Sequence, residues 1–333
     1  MATPTHELIG SPLPAISVIL PVLNEESHLE GAVLSVLSQD YLGPLEIILA
    51  LGPSRDRTNE IAAKLASQDN RVKLLDSPTG KTAAGLNLAL AASKSPVVVR
   101  VDGHAQIPNN YISLIVEILN ETGAVNVGGV MAAVGTTAFE RAVAGAMRSP
   151  LGVGASRFHT GGQAGEVDTV YLGAFRREAL VAIGGFDEQF TRAQDWELNF
   201  RLRENGGVIY FDPRLHVTYR PRSTVRALAK QYFEYGRWRR VVSRRHSGTI
   251  NYRYLAPPFA LLGFSASIVL GIVFSSVFFI PALVYLLFVV LASLKISTSI
   301  SEYLLLLLVI PTMHFAWGAG FISSPKTLVP ASQ

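Results

Sequence analysis

Between Leu255 and Leu294 the chain carries no charged side chain. One crossing of a bilayer takes about 20 apolar residues, so a charge-free run of this length predicts two crossings joined by a tight turn near Phe274–Ser276. It is longer than a usual pair of buried core helices. A polar break follows at Lys295–Glu302, and Leu304–Ile322 forms a third candidate crossing that carries Pro311, His314 and two glycines. Three crossings begun on the cytoplasmic side would return Lys295 to that side and leave the C-terminus outside.

The charge distribution sharpens this division. Charged residues make up 16% of the chain, below the roughly 25% of an ordinary soluble domain. After Tyr254 only Lys295, Glu302 and Lys326 are charged, so the residues before it have an ordinary soluble density. The mixed composition and the lack of a repeat exclude disordered, collagenous and solenoid architectures. There is no cysteine, which excludes disulfides, thiolate zinc sites and cysteine nucleophiles. Residues 1–14 hold Glu7 and three prolines, and Ile16–Leu23 is too short for the apolar core of a signal peptide. A domain made first without a signal is expected to stay in the cytoplasm. From Pro213 to Arg253 eleven arginines and lysines face Glu234 alone, interleaved with Tyr232, Phe233, Tyr235 and Trp238. Such a stretch can bind nucleic acid. Next to an apolar run it reads instead as a basic amphipathic helix on the cytoplasmic leaflet, with membrane lipids and not nucleic acid as its partner.

Residues 15–130 alternate two patterns. Strands are predicted at Ala15–Leu20, Leu45–Leu51, Val72–Leu75 and Val97–Val101. Helices are predicted at Glu26–Gln39, Asp56–Ala66, Lys81–Ala92 and Pro108–Leu119. Apolar strands alternating with helices imply a parallel sheet covered on both faces. Ligands of such sheets sit beyond the carboxyl ends of the strands, which directs attention to the loops 21–26, 52–58, 76–81 and 102–106.

Gly80-Lys81-Thr82 lies between a strand and a helix, but a phosphate-wrapping P-loop needs a glycine where this chain has Leu75. What remains is a helix N-terminus near a phosphate, with Lys81 adding charge, or a solvated lysine. Asp102-Gly103-His104 follows an apolar strand directly. A carboxylate there suits a divalent ion bridging phosphates, and an ordinary polar turn is the plainer alternative. Gln194-Asp195-Trp196-Glu197 opens a predicted helix, Asp195–Arg203, with Trp196, Phe200 and Leu202 expected to face inward; Asp195 can simply cap it. The seven histidines show no zinc-ligand spacing, and no G-x-S-x-G occurs.

Taken in order, several segments resemble one family. They are Val18–Glu26, Ser54-Arg55-Asp56-Arg57-Thr58, Gly85-Leu86-Asn87, Arg100–Ala105, Gly184–Glu188, Gln194–Glu197 and Tyr235–Trp238. Across about residues 15–245 the chain resembles the family 2 inverting glycosyltransferases of the GT-A fold, in particular the membrane-attached bacterial branch of succinoglycan-type exopolysaccharide enzymes. The resemblance implies an α/β nucleotide-binding domain with a mostly parallel sheet, followed by C-terminal transmembrane helices. It implies a GT-A domain over 15–222 after an N-terminal tail 1–14, a basic juxtamembrane segment over 223–253, about three crossings over 254–323, and a tail 324–333.

It also implies a nucleotide-sugar donor, with Pro21, Glu25 and Asp102 in its pocket; Asp56 and Lys81 are expected to bind the donor as well. A divalent metal, Mg2+ or Mn2+, would be held at Asp102 and His104, and Asp195 would be the catalytic base. Arg237 and Trp238 resemble the end of a Q-x-x-R-W motif that meets the acceptor or the diphosphate; Gln231 lies too far upstream to complete it. The acceptor would be lipid-linked or a glycan, at the membrane. The family usually carries two aspartates where this chain has Leu51 and Gly52, an aspartate where it has His104, and a glutamate where it has Gln194. Two other readings fit the same pattern: a polyprenyl-phosphate sugar synthase, and an inactive membrane scaffold for glycan export.

Overall fold

The computed structural model describes residues 13–250 and 252–329. Of the expected tails, residues 1–12 and 330–333 lie outside the described residues. The chain divides into two compact units, Met1–Ala132 with Gly161–Tyr219, and Ala133–Thr160 with Arg220–Gln333.

The first unit is built on one sheet. Its strands are β1 (Ile16–Val22), β2 (Leu45–Leu51), β3 (Val72–Asp76), β4 (Val97–Arg100), β5 (Asn126–Ala133), β6 (Gly165–Glu166), β7 (Tyr171–Arg176) and β8 (Ile209–Tyr219). Their order across the sheet is β3-β2-β1-β4-β7-β5-β8-β6. The pairings among β3, β2, β1 and β4 are all parallel, as the alternating pattern requires. Beyond β4 the sheet continues through β7, which pairs antiparallel with both β4 and β5. β1 and β4 are apolar almost throughout and buried, because helices cover both faces of the parallel half. Leu29, Val33 and Val36 of helix Leu29–Leu37 pack with Ile112, Ile115 and Leu119 of helix Tyr111–Thr122 in the same core.

Predicted and observed element ends differ where loops do local work. The first helix begins at Leu29 and not Glu26, because the Glu25 carbonyl closes a turn onto His28 N at 2.9 Å, just after Asn24 at φ 55°. The fourth begins at Tyr111 and not Pro108, because the Pro108 carbonyl closes a turn onto Tyr111 N at 3.0 Å. That helix ends on Gly123, whose φ of 66° is the left-handed stop that glycine supplies without strain.

The second unit is helical. Helix Ala138–Met147 starts with a reciprocal capping box between Thr137 and Glu140. The basic stretch forms helix Val225–Arg245, capped by Thr224. The charge-free run forms helix Tyr252–Val273, a short 3-10 turn Ser276–Phe279 and helix Ile280–Ile296, so the chain turns where the sequence predicted. These last two helices form an antiparallel hairpin, in which Ser267 Oγ donates to the Phe278 carbonyl and accepts from Ala282 N at 3.1 Å. Phe259, Leu262, Ile272, Leu283, Leu287 and Leu291 on the hairpin are exposed. Helix Ile300–Ser323 follows. All three stretches, Tyr252–Val273, Ser276–Ile296 and Ile300–Ser323, are long and apolar enough to cross a membrane.

The basic helix does not keep its apolar side for lipid. Its residues Leu228, Tyr232, Trp238, Val241 and Val242 are buried, and it meets helix Ile300–Ser323 backbone to backbone. A Cβ on Gly236 would come within 2.0 Å of the Trp317 carbonyl oxygen, and one on Gly320 within 2.0 Å of the Phe233 carbonyl oxygen. Only glycine permits this approach.

Candidate functional site

The loops that follow β1, β2 and β3 converge at one edge of the sheet. Asn24 N donates to Ser54 Oγ at 3.0 Å, and Asn24 Oδ1 accepts from Arg55 N at 2.8 Å. Glu25 N donates to Thr58 Oγ1 at 2.7 Å. Asp56 accepts from Thr58 N at 3.1 Å and Glu26 N at 3.3 Å, so its carboxylate spends its oxygens on joining two loops. Those bonds, above all the one from the Thr58 side chain, hold its pKa below the usual value.

Gly52 explains itself physically. A Cβ there would lie 3.0 Å from the Gly80 Cα and 3.2 Å from the Val22 carbonyl oxygen, so three loops cross where the family usually places an aspartate. Gly80, at φ 61°, turns the chain into helix Thr82–Ala92. Lys81 stands exposed at that helix's N-terminus. Gly85 lets the helix approach Pro21, whose Cβ would be 3.5 Å from an added Cβ.

Asn87 on the same helix has a structural task. Its side chain accepts from Phe186 N at 2.8 Å and donates to the Phe186 carbonyl at 2.8 Å and to Glu188 at 2.9 Å. It clamps the turn in which Gly184 and Gly185 take φ of 78° and 71°.

At the end of β4 the charged residues meet. Arg100 is buried, with its side chain 6% exposed. Its Nε and Nη2 donate to the same oxygen of Asp102, Oδ1, at 3.1 and 3.0 Å, while Nη1 donates to Asp195 Oδ1. Burial works against the charge on Arg100, but Asp102 and Asp195 outweigh it and raise its pKa. For Asp195 the balance goes the other way. Burial pushes its pKa above the usual carboxylate value although Arg100 pulls it down.

Two residues on, His104 Nδ1 lies 2.8 Å from Glu25 Oε1, and the other oxygen of Glu25 is 3.7 Å from His28. A hydrogen bond from Nδ1–H to a carboxylate puts the imidazole lone pair on Nε2, the arrangement common in metal-ligating histidines. Among the described residues no three His, Cys, Asp or Glu side chains form a metal-holding group. An ion at Asp102 and His104 would have to take its remaining ligands from a bound diphosphate and water.

Asp195 does not cap its helix. The helix begins at Gln194, behind Ala193 in the left-handed region at φ 61°, and no side chain caps it. Asp195 therefore sits in the first turn with its carboxylate turned to Arg100. The inward face also differs from expectation: Leu198 and Leu202 are buried, and so are Glu197 and Asn199. Trp196 and Phe200 are half-buried and stack on each other, with centroids 5.7 Å apart. The buried Glu197 is tolerated because Arg201 pairs with it at 2.7 Å and also holds the carbonyls of Ile183 and Gly185. Asn199 bonds Asn126 at 2.6 Å and Thr169 at 2.9 Å, tying the helix to β5.

Arg237 and Trp238 belong to the second unit. Arg237 pairs with Glu234 at 2.8 Å and lies over the Phe233 ring at 5.6 Å, and Trp238 is buried. Sequence reasoning placed Arg100 in a family-like segment but gave it no role; its further signal is one charge at the end of a β-branched strand.

The profile of glycosyl transferase family 2 matches residues 17–184, from the first strand through the turn after helix Arg177–Ala182. The chain belongs to glycosyl transferase family 2. This family 2 glycosyltransferase is 35% identical over 244 residues to the succinoglycan biosynthesis protein ExoA of Rhizobium meliloti (strain 1021), covering 72% of this chain and 73% of the relative. It is 24% identical over 254 residues to a dolichyl N-acetyl-alpha-D-glucosaminyl phosphate 3-beta-D-2,3-diacetamido-2,3-dideoxy-beta-D-glucuronosyltransferase of Methanococcus voltae, covering 73% and 77%. It shares its fold with the mannosyltransferase PcManGT of Pyrobaculum calidifontis, solved with GDP-Man and Mn2+. There the TM-score is 0.66 and the identity 20%, over 93% of this chain and 87% of that one. The first unit is thus a GT-A-like α/β domain.

Proposed function

We propose that this family 2 glycosyltransferase moves a sugar from a nucleoside-diphosphate donor to a lipid-linked or polysaccharide acceptor, with inversion, at the cytoplasmic face of a membrane. Exopolysaccharide or cell-envelope glycan synthesis is the setting that the similarity to the succinoglycan protein supports. The observation that carries the reading is the pair of carboxylates at the end of β4, Asp102 and Asp195, bridged by the buried guanidinium of Arg100.

In this reading Asp102 serves the donor and Asp195 the acceptor. Asp102 and His104 would hold a divalent cation, Mg2+ or Mn2+, which when bound neutralises charge on the leaving diphosphate. Asp195 takes the proton of the acceptor hydroxyl as that oxygen attacks the anomeric carbon from the face opposite the diphosphate. A pKa raised by burial suits this task, since a stronger base draws the proton more effectively once it is ionised. Pro21, Glu25 and Lys81 border the same sheet edge and bind the donor, Lys81 through its charge at a helix N-terminus. Asp56 supports the pocket by fixing its loops. Arg237 and Trp238 serve the acceptor from the basic juxtamembrane helix.

The test is to incubate membranes containing the protein with a panel of nucleotide sugars and follow release of the nucleoside diphosphate, for the wild type and Asp195→Asn. Release by the wild type that Asp195→Asn loses supports the reading. Near-normal release by a folded Asp195→Asn would favour a lipid-phosphate acceptor, whose oxygen needs no base. No release with any donor would favour an inactive scaffold.

A further inference from the structure

Length and composition allow helix Ile300–Ser323 to cross a membrane. At 1.5 Å per residue its 24 residues reach about 36 Å, more than the roughly 30 Å of a hydrocarbon core. Its packing within the second unit gives a different answer.

Both of its ends are held by parts of the chain that precede the hairpin. At the start, Glu302 is paired with Arg141 of helix Ala138–Met147 at 3.0 Å. At the far end, Arg244 of helix Val225–Arg245 donates to the carbonyls of Ser324 at 2.7 Å and Pro325 at 3.0 Å, and Ser324 Oγ donates to the Arg237 carbonyl at 2.9 Å. In between, Gly320 packs on Phe233 and Gly236 on Trp317. Helix Val225–Arg245 is too rich in arginine to lie in hydrocarbon, and it comes before the first apolar helix. Both anchors therefore stand on the side of the membrane from which the hairpin sets out. A crossing helix would need its ends on opposite sides.

The faces of the helix agree. Ile300, Leu304, Leu308 and Ile322 are exposed, and at 3.6 residues per turn they fall within about 80° of one another. Gly318, where a Cβ would meet the Pro257 carbonyl oxygen of the hairpin at 2.6 Å, lies in the same sector. Glu302, Val309, Met313 and Gly320 are buried in the opposite sector, and it is Glu302 and Gly320 that meet helices Ala138–Met147 and Val225–Arg245. One face looks toward the hairpin and the other toward those two preceding helices. The helix is also the most buried of the three apolar stretches, at 39% against 11% and 22%.

We propose that helix Ile300–Ser323 lies in the plane of the membrane surface, with Ile300, Leu304, Leu308 and Ile322 seated in the boundary between headgroups and acyl chains, and that the chain crosses the bilayer twice. The surface that this stripe fits is the lipid leaflet on the hairpin's starting side, as for other interfacial helices. The C-terminus returns to the side of the basic helix. The proposal takes the hairpin to be inserted, as the proposed function does, but it needs neither a donor nor catalysis.

The absence of cysteine makes the test direct. Ser247→Cys, Ser276→Cys and Lys326→Cys, all at exposed positions, are labelled one at a time with a membrane-impermeant maleimide from each side of sealed vesicles. The expected result is Ser276→Cys on one side, and Ser247→Cys and Lys326→Cys together on the other. Lys326→Cys labelling with Ser276→Cys would mean three crossings and overturn the proposal; Ser276→Cys labelling with Ser247→Cys would remove the inserted hairpin and overturn it too. Spin labels at Leu304, Leu308 and Ile322 in nanodiscs give a second readout. Similar shallow depths at all three are expected, whereas depths running toward the bilayer centre from one end would overturn the in-plane placement. Loss of turnover with the labelling pattern intact would count against the proposed function and leave this topology standing.

Discussion

Arg100 donates to Asp195 from the last position of β4, across 95 residues of sequence, with the same guanidinium that holds Asp102. One buried cation therefore stands between the carboxylate assigned to the donor and the one assigned to the acceptor.

Replacing that fork by a point charge is expected to cost more in turnover than in folding. Arg100→Lys keeps one positive charge but cannot reach both carboxylates with a planar set of donors. We expect turnover to fall about 10–100-fold, with the melting temperature close to wild type. Arg100→Met leaves two partly buried carboxylates without their cation and should lose about 3–5 kcal/mol of stability. Steady-state kinetics beside thermal melts check both; wild-type turnover in Arg100→Lys would show the bridge to be structural only.

For Asp195, the prediction is a rate loss without a folding loss. Asp195→Asn can still accept a hydrogen bond from Arg100, and turnover should drop about 10²–10⁴-fold while donor affinity holds. The pH profile adds a sign. A base works only when ionised, and burial raises the pKa of Asp195. Turnover should fall as pH drops through that raised value, on an acid limb lying above the ordinary aspartate pKa of about 3.9. A limb at or below that value would contradict the assignment.

Asp102→Ala should abolish the dependence of nucleotide binding on a divalent ion. Imidazole suits Mn2+ better than Mg2+, so His104→Asp should move metal preference toward Mg2+. Calorimetric titration of UDP and of GDP in the presence of each metal measures both effects. Metal-dependent binding unchanged in Asp102→Ala would place the ion elsewhere.

Gly320→Leu should loosen the second unit, because its side chain would enter the space of the Phe233 carbonyl. Overpacking costs about 1–3 kcal/mol, and contact with backbone leaves little room to relax. A lower melting temperature in detergent is expected, with Gly263→Leu as a control, since nothing lies within 4 Å of a Cβ at Gly263. Equal melting of the two variants would argue against the backbone contact.

The sequence by itself determined the local and the periodic. Strand–helix alternation over residues 15–130 specified the parallel half of the sheet, since a strand covered on both faces must be apolar throughout. The charge-free run specified two long apolar helices with a turn between them, because it is twice the length of one apolar crossing of about 20 residues. The ordered motifs pointed to Asp102, His104 and Asp195. Tertiary structure decided what depends on distant parts of the chain meeting. Arg100 gained Asp195 as its second partner only when the helix at Gln194 was brought beside β4. Asp56 and Asn87 proved to hold loops together, because their side chains satisfy backbone groups far away in sequence. The apolar side of helix Val225–Arg245 looked ready for lipid, yet Gly236 and Gly320 let another helix cover it. Hydrophobic periodicity says that a face will be buried; which partner buries it is set by shape, and glycine makes that shape only once two backbones meet.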